Sequence, residues 1–189
     1  PAEFIPVAEE HGLIGALGQQ ILRKACRDFA KRSDIRLAVN VSALQLNDKA
    51  FLGSLLAVAQ EERFELERLE VEFTESVLIR NAQRAKAVIA ELHNHHIKVS
   101  LDDFGTGYAS VGYLRAFDFD KIKLDRSLTQ SVLKDDSAQK VVQGTVLIAR
   151  ALSAEIIAEG IESEEEAQIM RLSGCHELQG YFLGRPQSV

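Results

Sequence analysis

Apolar and polar positions along the 189-residue chain alternate between two periods, and the switches between them divide it into strand-helix units. A helical period runs from Ala2 to Cys26, with Ile14, Leu17, Ile21, Leu22 and Ala25 on one face. Arg36 to Val41 then reads as a strand and Lys49 to Gln60 as a helix. The same alternation repeats with a strand at Leu69–Phe73 and a helix at Asn81–His93, then a strand at Ile97–Leu101 and a short helix near Val111–Arg115. Lys121–Leu124 and Glu155–Ala158 are further strands, separated by a long amphipathic helix over Ser137–Leu152, whose stripe is Val141, Val142, Val146, Leu147 and Ala151. A helix at Glu164–Leu172, opened by a Ser163–Glu166 capping box, and a segment at Glu177–Leu183 close the series. Six strands separated by helices predict parallel pairing with helical crossovers, in a doubly wound sheet or a (β/α) barrel.

The polar residues choose between those two. Asn40, Glu72, Asp102, Lys123, Glu159 and Gln179 each fall at or near the carboxyl end of a successive strand. An open sheet draws its ligand residues from a few strands at one switch point, whereas a barrel gathers them from nearly every strand at one rim. The expectation is therefore a barrel, with about two of its eight strands absent from this chain. No linker or low-complexity tract interrupts the sequence, so 1–189 reads as one domain.

The most informative stretch is Asp102-Asp103-Phe104-Gly105-Thr106-Gly107, two adjacent acids at a strand tip followed by a glycine-rich turn. Neighbouring carboxylates repel unless a cation lies between them, so the motif points to a divalent metal facing a phosphate; a solvated acidic turn is the plainer reading. Asn40 offers a neutral oxygen to a hard cation, or else caps the segment that follows it. Glu72 is the inward residue of its strand by alternation, with Glu75 beyond it on the loop, although two exposed acids would give the same pattern. Lys123, on the charged face of Lys121-Ile122-Lys123-Leu124-Asp125, would offset an acidic rim or orient a water. His93, His95 and His96 fall at a helix end, where imidazoles meet exposed carbonyls, and are not read as a metal site.

Composition narrows the field. Hydrophobic residues make up 46% and charged residues 26% of the chain, ordinary values for a globular protein. No apolar run reaches membrane-spanning length, and no signal-peptide pattern opens the sequence. Cys26 and Cys175 are too few for a disulfide framework, which suits a cytoplasmic location. The net charge of −6 argues against a nucleic-acid polymer as partner.

Taken together, Asn40 in VNVS, Glu72 and Glu75 in EFTE, Asp102 and Asp103 in DDFGTGYAS, Lys123 in KIKLD, Glu159 in AEGIES and Gln179 in LQGYFLGRP resemble the EAL-domain family. The resemblance runs from Pro1 to Pro186 in family order. It implies a (β/α)8 barrel that hydrolyses cyclic di-GMP to the linear dinucleotide, using two Mg²⁺ or Mn²⁺ ions. Carried over by motif, Asn40, Glu72 and Asp102 would ligate the first ion, and Asp102, Asp103 and Glu159 the second. Lys123 would position or help deprotonate the attacking water, and Gln179, Asp125 and Ser42 would hold the ligand or its shell. Glu75 would anchor the loop through Phe104, Gly105, Thr106, Gly107, Tyr108 and Ser110, which in this family couples the site to dimerisation. The resemblance further implies a homodimer, fused to sensory or GGDEF-type domains, with no membrane contact by this segment. The Glu-Ala-Leu signature strand is not in this sequence, so the isolated segment is expected to be impaired. A noncatalytic cyclic di-GMP receptor is the alternative.

Overall fold

The computed structural model describes residue 1, residues 3–106 and residues 111–187; the expectations for Gly107, Tyr108 and Ser110 fall outside them. Its contacts divide the chain into two compact units, Pro1–Val99 and Ser100–Val189.

The first unit opens with α1 (Phe4–Glu10) and α2 (Ile14–Phe29). Sequence periodicity suggested one helix here, but Gly12 adopts φ +68 and ends the first helix, so two helices form. The buried line of α2 is Ile14, Leu22 and Cys26, while Ile21 is exposed. Next come β1 (Leu37–Asn40), α3 (Ala43–Asn47), α4 (Phe51–Glu61), β2 (Leu69–Thr74), α5 (Glu75–Arg80) and α6 (Ala82–Asn94). β1 and β2 pair in parallel, Leu37 opposite Leu69 through Asn40 opposite Glu72. Val71 and Phe73 are fully buried and form the centre of this core with Leu46, Ala59 and Leu92. β1 differs from β2: its residues alternate between half-buried and exposed, whereas β2 is buried from Leu69 to Phe73.

A buried arginine secures the turn between α2 and β1. Arg68 donates to the carbonyls of Phe29 and Ile35 at 2.9 Å each, and also to Arg32. These acceptors include orphan carbonyls at the end of α2, so the guanidinium completes a helix terminus that has no glycine cap.

The second unit carries β3 (Lys98–Phe104, which begins at the end of the first), α7 (Val111–Leu114), β4 (Lys121–Leu124), α8 (Arg126–Ser131), α9 (Asp136–Ala151), β5 (Glu155–Ala158), α10 (Glu164–Ser173) and β6 (Glu177–Leu178). Successive strands from β3 to β6 pair in parallel in chain order. Apolar residues such as Leu101, Ile122, Leu124, Ile156 and Ala158 fill its core. The expected strand at 177–183 is only two residues long; Gly180 turns the chain back so that Phe182 donates to the Ile161 carbonyl at 3.1 Å. On α9 the buried stripe is Ala138, Val142, Thr145, Val146 and Ala149. Val141 and Leu147, placed by periodicity on that stripe, are 51% and 65% exposed. The Ser163–Glu166 capping box forms as expected.

Candidate functional site

Parallel strands leave unpaired backbone groups at their carboxyl ends, and in the second unit these ends are knitted into a continuous rim. The Asp125 amide donates to the Phe104 carbonyl, and the Glu159 amide to that of Leu124, each at 3.1 Å. The Gln179 amide donates to Ala158 at 2.8 Å. Asp125, Glu159 and Gln179 are thereby fixed one after another beyond β4, β5 and β6.

Asp102 and Asp103 should face opposite ways on a regular strand, because side chains alternate. They do not, because the β3–β4 register shifts between Leu101 and Phe104, and Asp103 takes a left-handed backbone at φ +56. The bulge re-aims the second carboxylate toward the first. Asp102, Asp103 and Glu159 consequently each present an oxygen within 4.8 Å of the others. Asp102 Oδ1 accepts from the Asp103 amide at 3.0 Å, and the Thr106 hydroxyl closes the turn on the Asp103 carbonyl at 2.9 Å.

Lys123 spans this cluster. Its Nζ lies 3.1 Å from Asp102 Oδ1 and 2.8 Å from Glu159 Oε1. Burial pushes the Glu159 carboxyl above its usual range, an effect the Lys123 ammonium opposes and the charges of Asp102 and Asp103 reinforce. Asp125 moves the other way: burial raises it, but hydrogen bonds from Ser127 and the nearby Arg126 charge leave it below the usual carboxylate range.

Three carboxylates suit a hard divalent cation. Oxygens that lie within 4.8 Å of one another can reach a single cation bound at about 2.0–2.6 Å. The same donors suit Mn²⁺.

In the first unit Asn40 donates its amide to Glu72 Oε2 at 3.1 Å. Glu72 is 5% exposed, and the pairing turns the Asn40 oxygen away from the carboxylate, where it remains available as a second donor. Glu75 is not on a loop: it begins α5 and is buried. The Ser42 oxygen accepts from the Gln45 amide in a capping box on α3. Asn40 and Ser42 also border a cavity of about 660 Å³ whose walls include Ile14, Leu17, Leu55 and Val77. The walls are mostly apolar, with Glu9, Asp48 and Arg80 among their charged members.

Sequence reasoning missed what holds the rim in place. Gly180 has no room for a side chain, since an added Cβ would lie 2.1 Å from the Ile161 carbonyl oxygen. His176 presents Nδ1 to the Ile156 amide at 2.9 Å, taking the place of a strand carbonyl. The LQG tripeptide hinted at the first; nothing in the sequence marks the second.

Comparison with known proteins agrees with this geometry. A family model described as EAL domain matches residues 1–186. A signaling protein of Caulobacter vibrioides is 42% identical over the whole chain, which covers 24% of that protein. Cyclic di-GMP phosphodiesterase PdeR of Escherichia coli is 40% identical over 98% of the chain and 29% of its own length. The chain thus spans about a quarter to a third of these relatives. Among solved structures, the Pseudomonas aeruginosa MucR phosphodiesterase in complex with c-di-GMP is 34% identical, with a TM-score of 0.93 over all of this chain and 78% of that one. That agreement gives the barrel-type α/β fold expected from the rim pattern, and the chain belongs to the EAL-domain family.

Proposed function

We propose that this chain is the phosphodiesterase domain of a larger signalling protein and hydrolyses cyclic di-GMP to its linear dinucleotide with two Mg²⁺ or Mn²⁺ ions. The observation that carries this reading is the cluster of Asp102, Asp103 and Glu159, with Lys123 paired to the first and last of them. When bound, the ions supply Lewis acidity and a water acidic enough to ionise near neutral pH. Asp102, Asp103 and Glu159 would hold one ion, and Asn40 and Glu72 would offer oxygen donors to the other. The carboxylates also give an acidic protein its attraction for a dianionic dinucleotide, by concentrating cations at one place.

Lys123 has the part of a positioning and proton-handling group. Its ammonium neutralises much of the cluster, and with cations bound there its donors would be free to orient the attacking water. Gln179 and Asp125 are fixed at the same rim and contact the ligand, and Ser42 retains a hydroxyl proton to donate. Glu75, buried at the start of α5, would take the loop-anchoring part that its EFTE motif implies. The domain works as a homodimer in the cytoplasm, joined to sensory or GGDEF-type modules, in keeping with the fraction of its relatives that it spans. The exposed alternate residues of β1 support the view that 1–189 alone is impaired.

The intact protein should cleave cyclic di-GMP only with Mg²⁺ or Mn²⁺ present, and Asp102→Ala should lose both metal binding and turnover. Tight dinucleotide binding with no hydrolysis by the wild type would instead establish a receptor.

A further inference from the structure

Cations held by the carboxylates would engage one phosphodiester of a cyclic dinucleotide, and its second phosphodiester then calls for a cationic partner of its own. We propose that Arg126 recognises that second phosphodiester and so makes the site selective for a cyclic dinucleotide over a simple phosphate diester. This assignment rests on the phosphodiesterase reading above.

Position is the first argument. Arg126 is the first residue of α8, two residues beyond β4 and three beyond Lys123. Two glycines clamp the start of this helix between the turns that carry the carboxylates. A Cβ on Gly160, the residue after Glu159, would lie 2.3 Å from Arg126 Cβ and 3.1 Å from its Cα. A Cβ on Gly105, two residues after Asp103, would lie 2.4 Å from Leu128 Cδ1. Both glycines have positive φ, +71 and +105, so neither turn tolerates a side chain on conformational grounds either. The stem of Arg126 is therefore held against the Glu159 turn, and the order is built in before any ligand arrives.

Charge is the second argument. Lys123 is buried and shared between Asp102 and Glu159, and Lys121 is buried beside Glu177 at 3.3 Å. Arg126 is exposed, and among the described residues its guanidinium forms no ion pair. Its neighbour Asp125 turns its carboxylate to the Ser127 amide at 2.9 Å, and the Glu162 carboxylate accepts from Gln130 at 3.1 Å. Neither carboxylate forms an ion pair with Arg126 among the described residues, and the guanidinium fork stays available for a phosphate, which it matches in bidentate geometry.

Arg126→Met tests this, because it keeps the stem that packs on Gly160 and removes only the charge. Binding is measured with a hydrolysis-resistant phosphorothioate analogue of cyclic di-GMP in the intact protein. Its dissociation constant should rise about 10- to 100-fold, with partial recovery in Arg126→Lys. Mn²⁺ affinity should move by less than about threefold, which a merely structural role would not allow. The ratio of kcat/KM for cyclic di-GMP to that for bis(p-nitrophenyl) phosphate should fall by a similar factor to the binding. An analogue affinity near that of wild type overturns the assignment, as does a parallel loss of Mn²⁺ affinity. A wild type that binds the analogue in an Arg126-dependent way yet hydrolyses neither substrate would sink the phosphodiesterase reading and leave Arg126 standing. A wild type that binds no dinucleotide overturns both.

Discussion

The two units place polar residues at the same point, the carboxyl end of a parallel strand, yet they differ in charge. In Ser100–Val189 three acids cluster and two of them, Asp102 and Glu159, pair with one lysine, so charge is dense and only partly neutralised. In Pro1–Val99 the buried Glu72 accepts from a neutral amide, and its neighbours Glu70 and Glu75 are buried as well. The contrast shows that a strand tip alone does not make a reactive centre. The bulge in β3 aims two adjacent carboxylates the same way beside a lysine on the next strand; β1 and β2 pair in regular register, and there the alternation of side chains is kept.

The largest test of this contrast compares one acid from each unit. Asp102→Asn should lower Mn²⁺-dependent hydrolysis at least about a thousandfold, since it removes a charge from the densest part of the cluster. Glu72→Gln, with its amide partner retained, should cost about 10- to 100-fold. Equal losses, or the reverse ranking, would break the distinction.

A second comparison concerns rigidity. Gly180→Ala should destabilise by about 1–3 kcal/mol in urea denaturation, because the added methyl meets backbone that cannot rotate away. Gly53→Ala, in α4 of the first unit with open space around it, should instead stabilise by about 0.5–1 kcal/mol.

The smallest expected effect is on pH dependence. Glu159 titrates above its ordinary value in the metal-free fold, so the native state holds more proton than the unfolded chain over that interval. Stability in chelator should therefore fall as pH rises from about 4.5 through the raised value. Glu159→Gln should flatten that part of the profile, and a slope that survives the substitution would assign it to another group.

Much of this was readable from residues alone. Alternating apolar runs marked β1 to β5, and acids placed at their ends marked the rim. What escaped depends on three-dimensional packing. Periodicity put Val141 and Leu147 on the buried side of α9, but the core accepts Ala138, Thr145 and Ala149 there instead. Small and polar residues allow the helix to lie closer than a stripe of large ones would, and no hydropathy pattern reports that preference. No local pattern marks Arg68, which is 8% exposed because carbonyls distant in sequence accept from its donors. His176 escaped for the same reason: its partner, Ile156, lies 20 residues away. The Asp102–Asp103 pair was legible as chemistry but not as shape, since alternation would have separated the two side chains.

That kink at Asp103 carries a lesson for transplanting the centre into another scaffold. Copying the dipeptide onto an ideal β-ribbon would send one acid into the hydrophobic layer, where it would protonate or unravel its host. A designer would have to borrow the irregular backbone first, together with the turn that tolerates it, and only then write in the acids.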